Sequence, residues 1–227
     1  MSKTSTDRIR VFLAGDSTVQ TYEKDFAPQA GWGQFIDRYF DEKVVFFNHA
    51  IGGRSSKTFV EEGRLDDILR QLAAGDYLFI QMGHNDSTVS KPERYTEPFT
   101  TYKRYLKMYV DGARRKHAYP ILITPVGRLH YDSGCYINDF PDYCEAMKQL
   151  ARDENVPLID LMTKSLVCFA ELGYDEAHTW FMASITGSDF THFTEKGAYQ
   201  VARLVAQGVQ DLNIDLSSHV VTLVGTE

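Results

Sequence analysis

Four short motifs, far apart in the sequence, carry the residue types that acyl transfer requires. Gly15-Asp16-Ser17-Thr18 follows an apolar run and supplies a hydroxyl, and Gly52-Gly53-Arg54-Ser55 supplies backbone N–H groups. Gly83-His84-Asn85-Asp86 supplies a side-chain amide, and Asp189-Phe190-Thr191-His192 supplies a carboxylate and an imidazole. A serine hydroxyl needs a base to take its proton, and the resulting oxyanion needs donors already in place. Together the four motifs predict a serine-dependent acyl-transfer site.

Ser17, Asp189 and His192 are the predicted catalytic residues. The spacing of three between Asp189 and His192 lets the carboxylate orient one imidazole nitrogen while the other nitrogen faces Ser17. Each motif alone has an ordinary alternative, because aspartate, serine and threonine commonly cap helices. His178 lies in the same predicted loop as His192 and competes with it for the role of base.

Gly53 and Asn85 are the predicted donors to the oxyanion. A glycine lets its backbone N–H approach a substrate closely, and an asparagine amide donates without adding charge. The Gly52-Gly53-Arg54 segment could instead bind a phosphate, but it lacks the GxGxxG and GxxxxGK[ST] spacings. No histidine or cysteine pair has zinc-ligand spacing with an acidic partner, so the sequence predicts no metal site.

The composition indicates an ordinary globular protein. The chain has 227 residues, of which 43% are hydrophobic and 24% are charged, and we expect one α/β domain over residues 1–227. The net charge of −7 argues against binding to nucleic acid or to an anionic membrane. The first ten residues do not have the pattern of a secretory signal, and the cysteines, Cys135, Cys144 and Cys168, have no CxxC spacing. These features favour a cytoplasmic location.

Apolar runs of strand length alternate with amphipathic stretches, which is the pattern of a parallel sheet covered by helices. The predicted strands are residues 9–14, 44–48, 77–82, 120–124 and 157–161. Helical periodicity predicts buried faces over residues 99–113, 140–151 and 198–212. The first three motifs follow strands, and ligands of open α/β sheets bind beyond the carboxyl ends of the strands. The fourth motif, in an irregular segment predicted over residues 173–193, is expected to fold back to the same edge.

The motifs resemble the signature of the SGNH (GDSL) hydrolase family, which is named for its serine, glycine, asparagine and histidine. The matching residues are Ser17, Gly53, Asn85 and His192, with Asp189 as the triad carboxylate. The resemblance implies a three-layer α/β/α, flavodoxin-like fold with a five-stranded parallel sheet. It also implies an oxyanion hole formed by the Ser17 and Gly53 N–H groups and the Asn85 amide, and it implies no cofactor.

Flanking residues resemble the rhamnogalacturonan acetylesterases within that family. They include Trp32-Gly33-Gln34 and the segment 191–198. The expected substrate is therefore an acetyl ester of a pectin-derived oligosaccharide. One departure concerns the loop beside the site, because Ser87-Thr88 follows Asp86 where the family would have glycine.

A further set of residues is predicted to bind substrate: Asp16, Trp32, Arg54, His84, Arg128, His130 and Trp180. Arg54, Arg128 and His130 are expected to meet a galacturonate carboxylate through charge-assisted hydrogen bonds, although an exposed charge can serve solubility alone. Aromatic residues of the site-facing loops are expected to stack on sugar rings, with core packing as the alternative. These are Tyr22, Phe26, Trp32, Tyr131, Tyr136, Trp180 and Phe181.

Two other functions fit parts of the pattern. The same machinery could act on longer acyl chains, as a lipase, lysophospholipase or thioesterase, and this would require an apolar acyl channel. A flavodoxin-like binding module without catalysis would leave Asn85 and the Asp189–His192 pair without a shared purpose. The oligomeric state stays open, as does the role of residues 214–227, whose apolar run at 220–224 could add an edge strand, cover a helix or join a partner.

Overall fold

A computed structural model describes residues 8–221 and has a five-stranded sheet at its centre. Its strands are β1 (Ile9–Gly15), β2 (Val44–Asn48), β3 (Tyr77–Gln81), β4 (Tyr119–Ile123) and β5 (Leu158–Ile159). They pair in the order β2-β1-β3-β4-β5, and every pairing is parallel. This is the flavodoxin-like strand order, so the predicted fold class is confirmed.

Helices connect the strands. The α-helices are α1 (Ser56–Glu61), α2 (Arg64–Gln71), α3 (Lys103–Arg115), α4 (Pro141–Asp153), α5 (Leu161–Leu172), α6 (Tyr174–His178), α7 (Ala183–Thr186) and α8 (Glu195–Leu212). Short 3₁₀ turns occur at Lys24–Phe26, Trp32–Gln34, Ile36–Tyr39 and Asp215–His219, and a π-helical turn at Pro98–Tyr102 precedes α3. Two-stranded antiparallel pairs join Gln29–Ala30 to Phe193–Thr194, and Tyr131–Asp132 to Cys135–Tyr136.

The sheet is covered on both faces, because successive side chains of a strand point to opposite sides. Phe12 and Ala14 of β1 belong to a buried apolar cluster shared with α1, α2, α3 and α4. Val11 and Leu13 belong to a second cluster, formed with α5, α8 and the 3₁₀ turns of residues 32–39. One cluster fills the space between the sheet and the helices on each face, and this gives the three predicted layers.

Some predicted boundaries are wrong for local reasons. The strand predicted over 157–161 ends at Ile159, because the Asp160 side chain accepts the Thr163 N–H at 3.2 Å and caps α5. Phe99 is 47% exposed rather than buried, since α3 begins after it. The segment 173–193 contains α6 and α7. Of the apolar run at 220–224, Val220 forms a bridge with Phe40, and residues 222–227 lie outside the described residues.

Two further observations concern membrane-spanning helices and the cysteines. No helix between residues 8 and 221 is both long enough and apolar enough to cross a membrane. The three cysteines are unpaired: Cys144 and Cys168 are buried, and Cys135 is exposed.

The segment that carries His192 is held on both sides. Residues 193–194 pair with residues 29–30, and the Thr194 side chain accepts the Gly197 N–H at 3.3 Å to cap α8. Helix α8 lies against the backbone of the preceding loop, and a Cβ on Gly197 would fall 2.0 Å from the Trp180 carbonyl oxygen. The glycine therefore permits a contact that anchors the histidine loop to the last helix.

Candidate active site

Three side chains from opposite ends of the chain are hydrogen-bonded in series. His192 Nε2 lies 3.0 Å from Ser17 Oγ, and His192 Nδ1 lies 2.8 Å from Asp189 Oδ2. The contact with Asp189 leaves Nε2 to face the hydroxyl, which is the orientation that a general base needs. His178 instead lies in α6, where its ring stacks on Tyr174.

The Asp189 carboxylate is anchored by backbone as well as by imidazole. Its Oδ1 accepts the N–H groups of Thr191 at 3.1 Å and of His192 at 3.0 Å. Burial alone would raise the pKa of Asp189, but these hydrogen bonds and the nearby imidazole outweigh it and hold the pKa below its usual value. Asp189 therefore stays ionised at neutral pH and can stabilise a positive charge on His192.

The backbone around Ser17 is braced. Ser17 stands at the turn after β1, where the Val19 and Gln20 N–H groups both donate to the Asp16 carbonyl oxygen. The Tyr22 hydroxyl donates to the Ser17 carbonyl oxygen at 3.0 Å. Partial burial raises the pKa of the Tyr22 phenol, so it remains a protonated donor. Tyr22, one of the predicted sugar contacts, therefore supports the backbone at Ser17.

Gly53 and Asn85 lie with Ser17 on the wall of one cavity. Gly53 has a φ of +78°, in the left-handed region that favours glycine, which explains the residue type at this turn. One Asn85 amide hydrogen is donated to the Arg54 carbonyl oxygen at 3.0 Å, and the second is free to meet a ligand. The Gln20 side-chain oxygen accepts the Gly52 N–H, so the loops after β1 and β2 are also joined.

Asp86 clamps the loop after β3 onto α1. Its carboxylate accepts the Ser56 N–H at 3.0 Å, the Ser56 hydroxyl at 2.5 Å and the Thr96 hydroxyl at 2.8 Å. Complete burial raises the pKa of Asp86 to about 6, in spite of these hydrogen bonds. Because Asn85 directly precedes Asp86, the clamp holds the amide beside the Gly53 turn.

A chain of buried hydrogen bonds runs beneath the nucleophile. Trp32 Nε1 donates to Gln81 Oε1 at 2.8 Å, and Gln81 Nε2 donates to Thr18 Oγ1 at 2.7 Å. Thr18 Oγ1 donates to Asp16 Oδ1 at 2.8 Å, and Asp16 Oδ2 lies 3.2 Å from His84 Nδ1. The chain links the loops after β1 and β3 through the core.

Both ring nitrogens of His84 face hydrogen-bond acceptors. Nδ1 meets the Asp16 carboxylate and Nε2 lies 3.0 Å from the Val126 carbonyl oxygen, so both nitrogens must donate. Burial alone would raise the pKa of Asp16, but the His84 charge and the Thr18 hydrogen bonds outweigh it and lower the pKa. Asp16 and His84 are therefore a buried ion pair.

The assignment of substrate contacts to four of the predicted residues is wrong. Trp32 and Phe181 are 0% exposed and Trp180 is 2% exposed, so their rings pack in the core and cannot stack on a sugar. Asp16 is 0% exposed, and its carboxylate serves Thr18 and His84. Both tryptophans belong to the buried apolar cluster that also contains residues of α5 and α8.

The remaining predicted contacts divide between the cavity and its surroundings. Arg128 and His84 line the cavity beside Ser17. Arg54 is paired with Glu62 at 3.0 Å, and it also donates to the Gly52 carbonyl oxygen. His130 is paired with Asp139 at 2.7 Å in a neighbouring cleft. Of the other aromatic residues, Phe26 and Tyr131 are exposed and Tyr136 is half-buried.

The cavity has a volume of about 580 Å³, and every residue on its wall is polar or glycine. The wall consists of Ser17, Gln20, Tyr22, Gly52, Gly53, His84, Asn85, Thr88, Arg94, Arg128, Ser188, Asp189, Thr191 and His192. Thr88 lies on a turn in which Ser87 Oγ donates to the His84 carbonyl oxygen, so the Ser87-Thr88 departure shapes this wall. Sequence reasoning missed Gln20, Arg94 and Ser188, since none belongs to a motif.

Other features do not compete with this site. Residues 8–221 contain no group of three or more His, Cys, Asp or Glu side chains arranged to hold a metal ion. A cavity of about 600 Å³ lies at the opposite edge of the sheet, around Tyr77 and Tyr119 at the amino ends of β3 and β4. Its wall has no serine–histidine pair.

The family model of the GDSL-like lipases and acylhydrolases matches residues 11–205. The chain belongs to this family. The match confirms the resemblance drawn from the motifs, and with it the predicted enzyme class, a carboxylic ester hydrolase.

Relatives and a solved structure agree with this membership. The probable rhamnogalacturonan acetylesterase YesY of Bacillus subtilis is 58% identical over 93% of this chain and 97% of its own length. The rhamnogalacturonan acetylesterase RhgT of the same organism is 43% identical, over 96% of this chain and 97% of its own length. The crystal structure of the B. subtilis protein YxiM has a TM-score of 0.82 at 29% identity, and the match covers 93% of this chain and 58% of that one.

The Asp16–His84 pair generates a first prediction. His84→Ala leaves a buried carboxylate without its counter-charge, and we expect a loss of roughly 3–5 kcal/mol in the free energy of unfolding. The double variant Asp16→Asn, His84→Ala is expected to lose about 1–3 kcal/mol less than the sum of the single losses. Urea denaturation of the four proteins measures the coupling, and simple additivity would contradict the ion pair.

Asp86 generates a second prediction, about pH. Its pKa is about 6 in the folded protein against an ordinary value of 3.8, so its contribution to stability is full below 3.8 and is lost as pH rises through about 6. Asp86→Asn does not titrate there. The stability of this variant relative to wild type is therefore expected to rise between pH 4 and pH 8, by at most about 3 kcal/mol.

Urea denaturation of wild type and Asp86→Asn at stepped pH measures this difference, because the other titrating groups are common to both proteins and cancel. A difference that does not change with pH would mean that Asp86 keeps an ordinary pKa.

Proposed function

We propose that this protein is a serine acetylesterase that removes acetyl groups from oligosaccharides of rhamnogalacturonan. The observation that carries the proposal is the hydrogen-bonded series Ser17–His192–Asp189. These three residues lie on the wall of a polar cavity whose wall also includes Gly53 and Asn85. The names of the relatives at 58% and 43% identity support the substrate class.

In the first half of the proposed reaction, Ser17 Oγ attacks the acetyl carbonyl carbon while His192 Nε2 takes the hydroxyl proton. Asp189 stabilises the imidazolium that forms. The carbonyl oxygen becomes an oxyanion, which the backbone N–H groups of Ser17 and Gly53 and the Asn85 amide stabilise. One such donor is worth about 10²–10³ in kcat, because it is already oriented when the charge develops.

In the second half, the tetrahedral intermediate collapses and the bond from carbon to the sugar oxygen breaks. His192 donates its proton to the departing sugar hydroxyl, and the acetyl group stays on Ser17 as an ester. Water then attacks this ester while His192 takes a proton from it. A second oxyanion forms in the same position. On its collapse the bond between the acetyl carbon and Ser17 Oγ breaks, His192 returns the proton to Oγ, and acetic acid leaves and ionises to acetate.

The polar wall of the cavity favours a short acyl group. A longer chain gains about 0.8 kcal/mol for each methylene that an apolar channel buries. No aliphatic side chain lines the cavity beside Ser17, so such a gain is not available there. This argues for acetyl esters over the lipase, lysophospholipase and thioesterase alternatives.

Substitution of the nucleophile and the base tests the proposal. Ser17→Ala and His192→Ala are each expected to lower kcat on p-nitrophenyl acetate by up to roughly 10⁶-fold, because the two groups act as a unit. Ser218→Ala, at an exposed serine outside the cavity, is the matched control and should retain wild-type activity. Thermal melting of each variant establishes that the fold is intact.

The substrate class is tested in parallel by acetate release from acetylated rhamnogalacturonan oligosaccharides and from acetylated xylo-oligosaccharides. Faster release from the rhamnogalacturonan oligosaccharides is expected. Retained activity in a folded Ser17→Ala protein would end the assignment of the nucleophile, and a preference for the xylo-oligosaccharides would end the assignment of the substrate.

A further inference from the structure

Two arginine side chains line the cavity beside Ser17 without a carboxylate partner among residues 8–221. Arg94 comes from the loop after β3, and its Nη1 donates to the Gly53 carbonyl oxygen at 3.3 Å. Arg128 comes from the loop after β4, and its guanidinium lies over the Phe140 ring, 4.8 Å from the centroid. The Nε atom of each arginine is buried and has no hydrogen-bond acceptor in the described structure.

These unmet donors are unusual, because a guanidinium carries five N–H groups and a buried N–H without an acceptor costs free energy. Arg54, on the neighbouring loop, satisfies its charge with Glu62. Asp189 is the one carboxylate on the cavity wall, and both its oxygens are occupied by Thr191 and His192. The Nε donors are too buried to meet a ligand, so the terminal Nη groups of Arg94 and Arg128 are the donors that the cavity wall offers to one.

The local charge is opposite to that of the whole protein. The chain has a net charge of −7, yet the cavity wall has two arginines against one carboxylate. A general surface charge that promotes solubility would not concentrate cations beside the nucleophile. This distribution attracts an anion to the site.

We propose that Arg94 and Arg128 form a carboxylate-binding subsite that selects acetyl esters of uronate sugars. This inference rests on the proposed function, and it names the chemical group that sets specificity. A carboxylate matches the planar guanidinium through paired, charge-assisted hydrogen bonds. Because Arg94 contacts Gly53, a carboxylate bound there lies close to the carbonyl group that Ser17 attacks.

The surroundings leave room for more than one sugar. A cleft of about 470 Å³ adjoins the cavity, and the two share the wall formed by Arg128, Ser188, Asp189 and Thr191. Tyr131 and Tyr174 border this cleft, and their ring centroids are 5.5 Å apart. Both rings are partly exposed, so a neighbouring sugar ring can pack against them while its carboxylate, or that of the acetylated residue, meets Arg128.

The test compares one acetylated, galacturonate-containing oligosaccharide with the same oligosaccharide after methyl esterification of its carboxyl groups. The two forms differ in charge and keep the same sugars and acetyl groups. Wild type is expected to prefer the free acid by about tenfold or more in kcat/KM, with most of the difference in KM. Arg94→Gln and Arg128→Gln are each expected to reduce this preference to about twofold.

The readout is the ratio of kcat/KM on the free acid to kcat/KM on the methyl ester, measured for each variant. This ratio cancels any general loss of activity. Arg128→Lys, which keeps the charge but not the planar pair of donors, is expected to retain an intermediate preference. Arg70→Gln, at an exposed position on α2, carries the same change in net charge outside the cavity and should retain the wild-type ratio.

Equal rates of wild type on both forms would overturn the subsite and leave the acetylesterase proposal standing, and so would an unchanged ratio in Arg94→Gln and Arg128→Gln. Hydrolysis of p-nitrophenyl acetate without acetate release from either oligosaccharide form would overturn the proposed substrate and the subsite together.

Discussion

A buried carboxylate next to Ser17 is the constraint on which the site depends. Asp16 directly precedes Ser17 and has no contact with solvent, so the fold must replace the water that would stabilise its charge. His84 and Thr18 do so, and His84 can reach Asp16 only if the loop after β3 lies against the loop after β1. Because Asn85 directly follows His84, the contact between His84 and Asp16 also sets the position of the Asn85 amide on the cavity wall.

The other half of the site is brought in by the last helix. His192 precedes a two-residue strand and the cap of α8, and the close contact of Gly197 with the Trp180 backbone holds this loop against the core. Asp86 and Gln20 then fix the Gly53 turn from two sides. Each group that faces the cavity is thus supported by backbone or buried partners, as preorganised catalysis requires.

Sequence reasoning could predict the fold and the convergence of the motifs, because alternating strands and helices place loop residues at one sheet edge. The order β2-β1-β3-β4-β5 brings Ser17, Gly53 and Asn85 to that edge. The sequence does not indicate which residues near a motif are buried. The prediction that Asp16, Trp32 and Trp180 bind substrate is wrong for this reason. Arg94 belongs to no motif. From the sequence alone, an arginine that lines a cavity cannot be told from one that points into solvent, because the neighbours of its side chain are unknown. The early end of β5 depends on a single cap at Asp160.

The proposed reaction depends on the activation of one alcohol, Ser17, by one imidazole, His192. Reaction of the protein with a fluorophosphonate, followed by mass spectrometric mapping of the modified peptide, measures this directly. A single adduct on the Ser17 oxygen, formed far more slowly in a folded His192→Ala variant, is the predicted result. An adduct on another serine, or modification of Ser17 at the same rate without the imidazole, would contradict it.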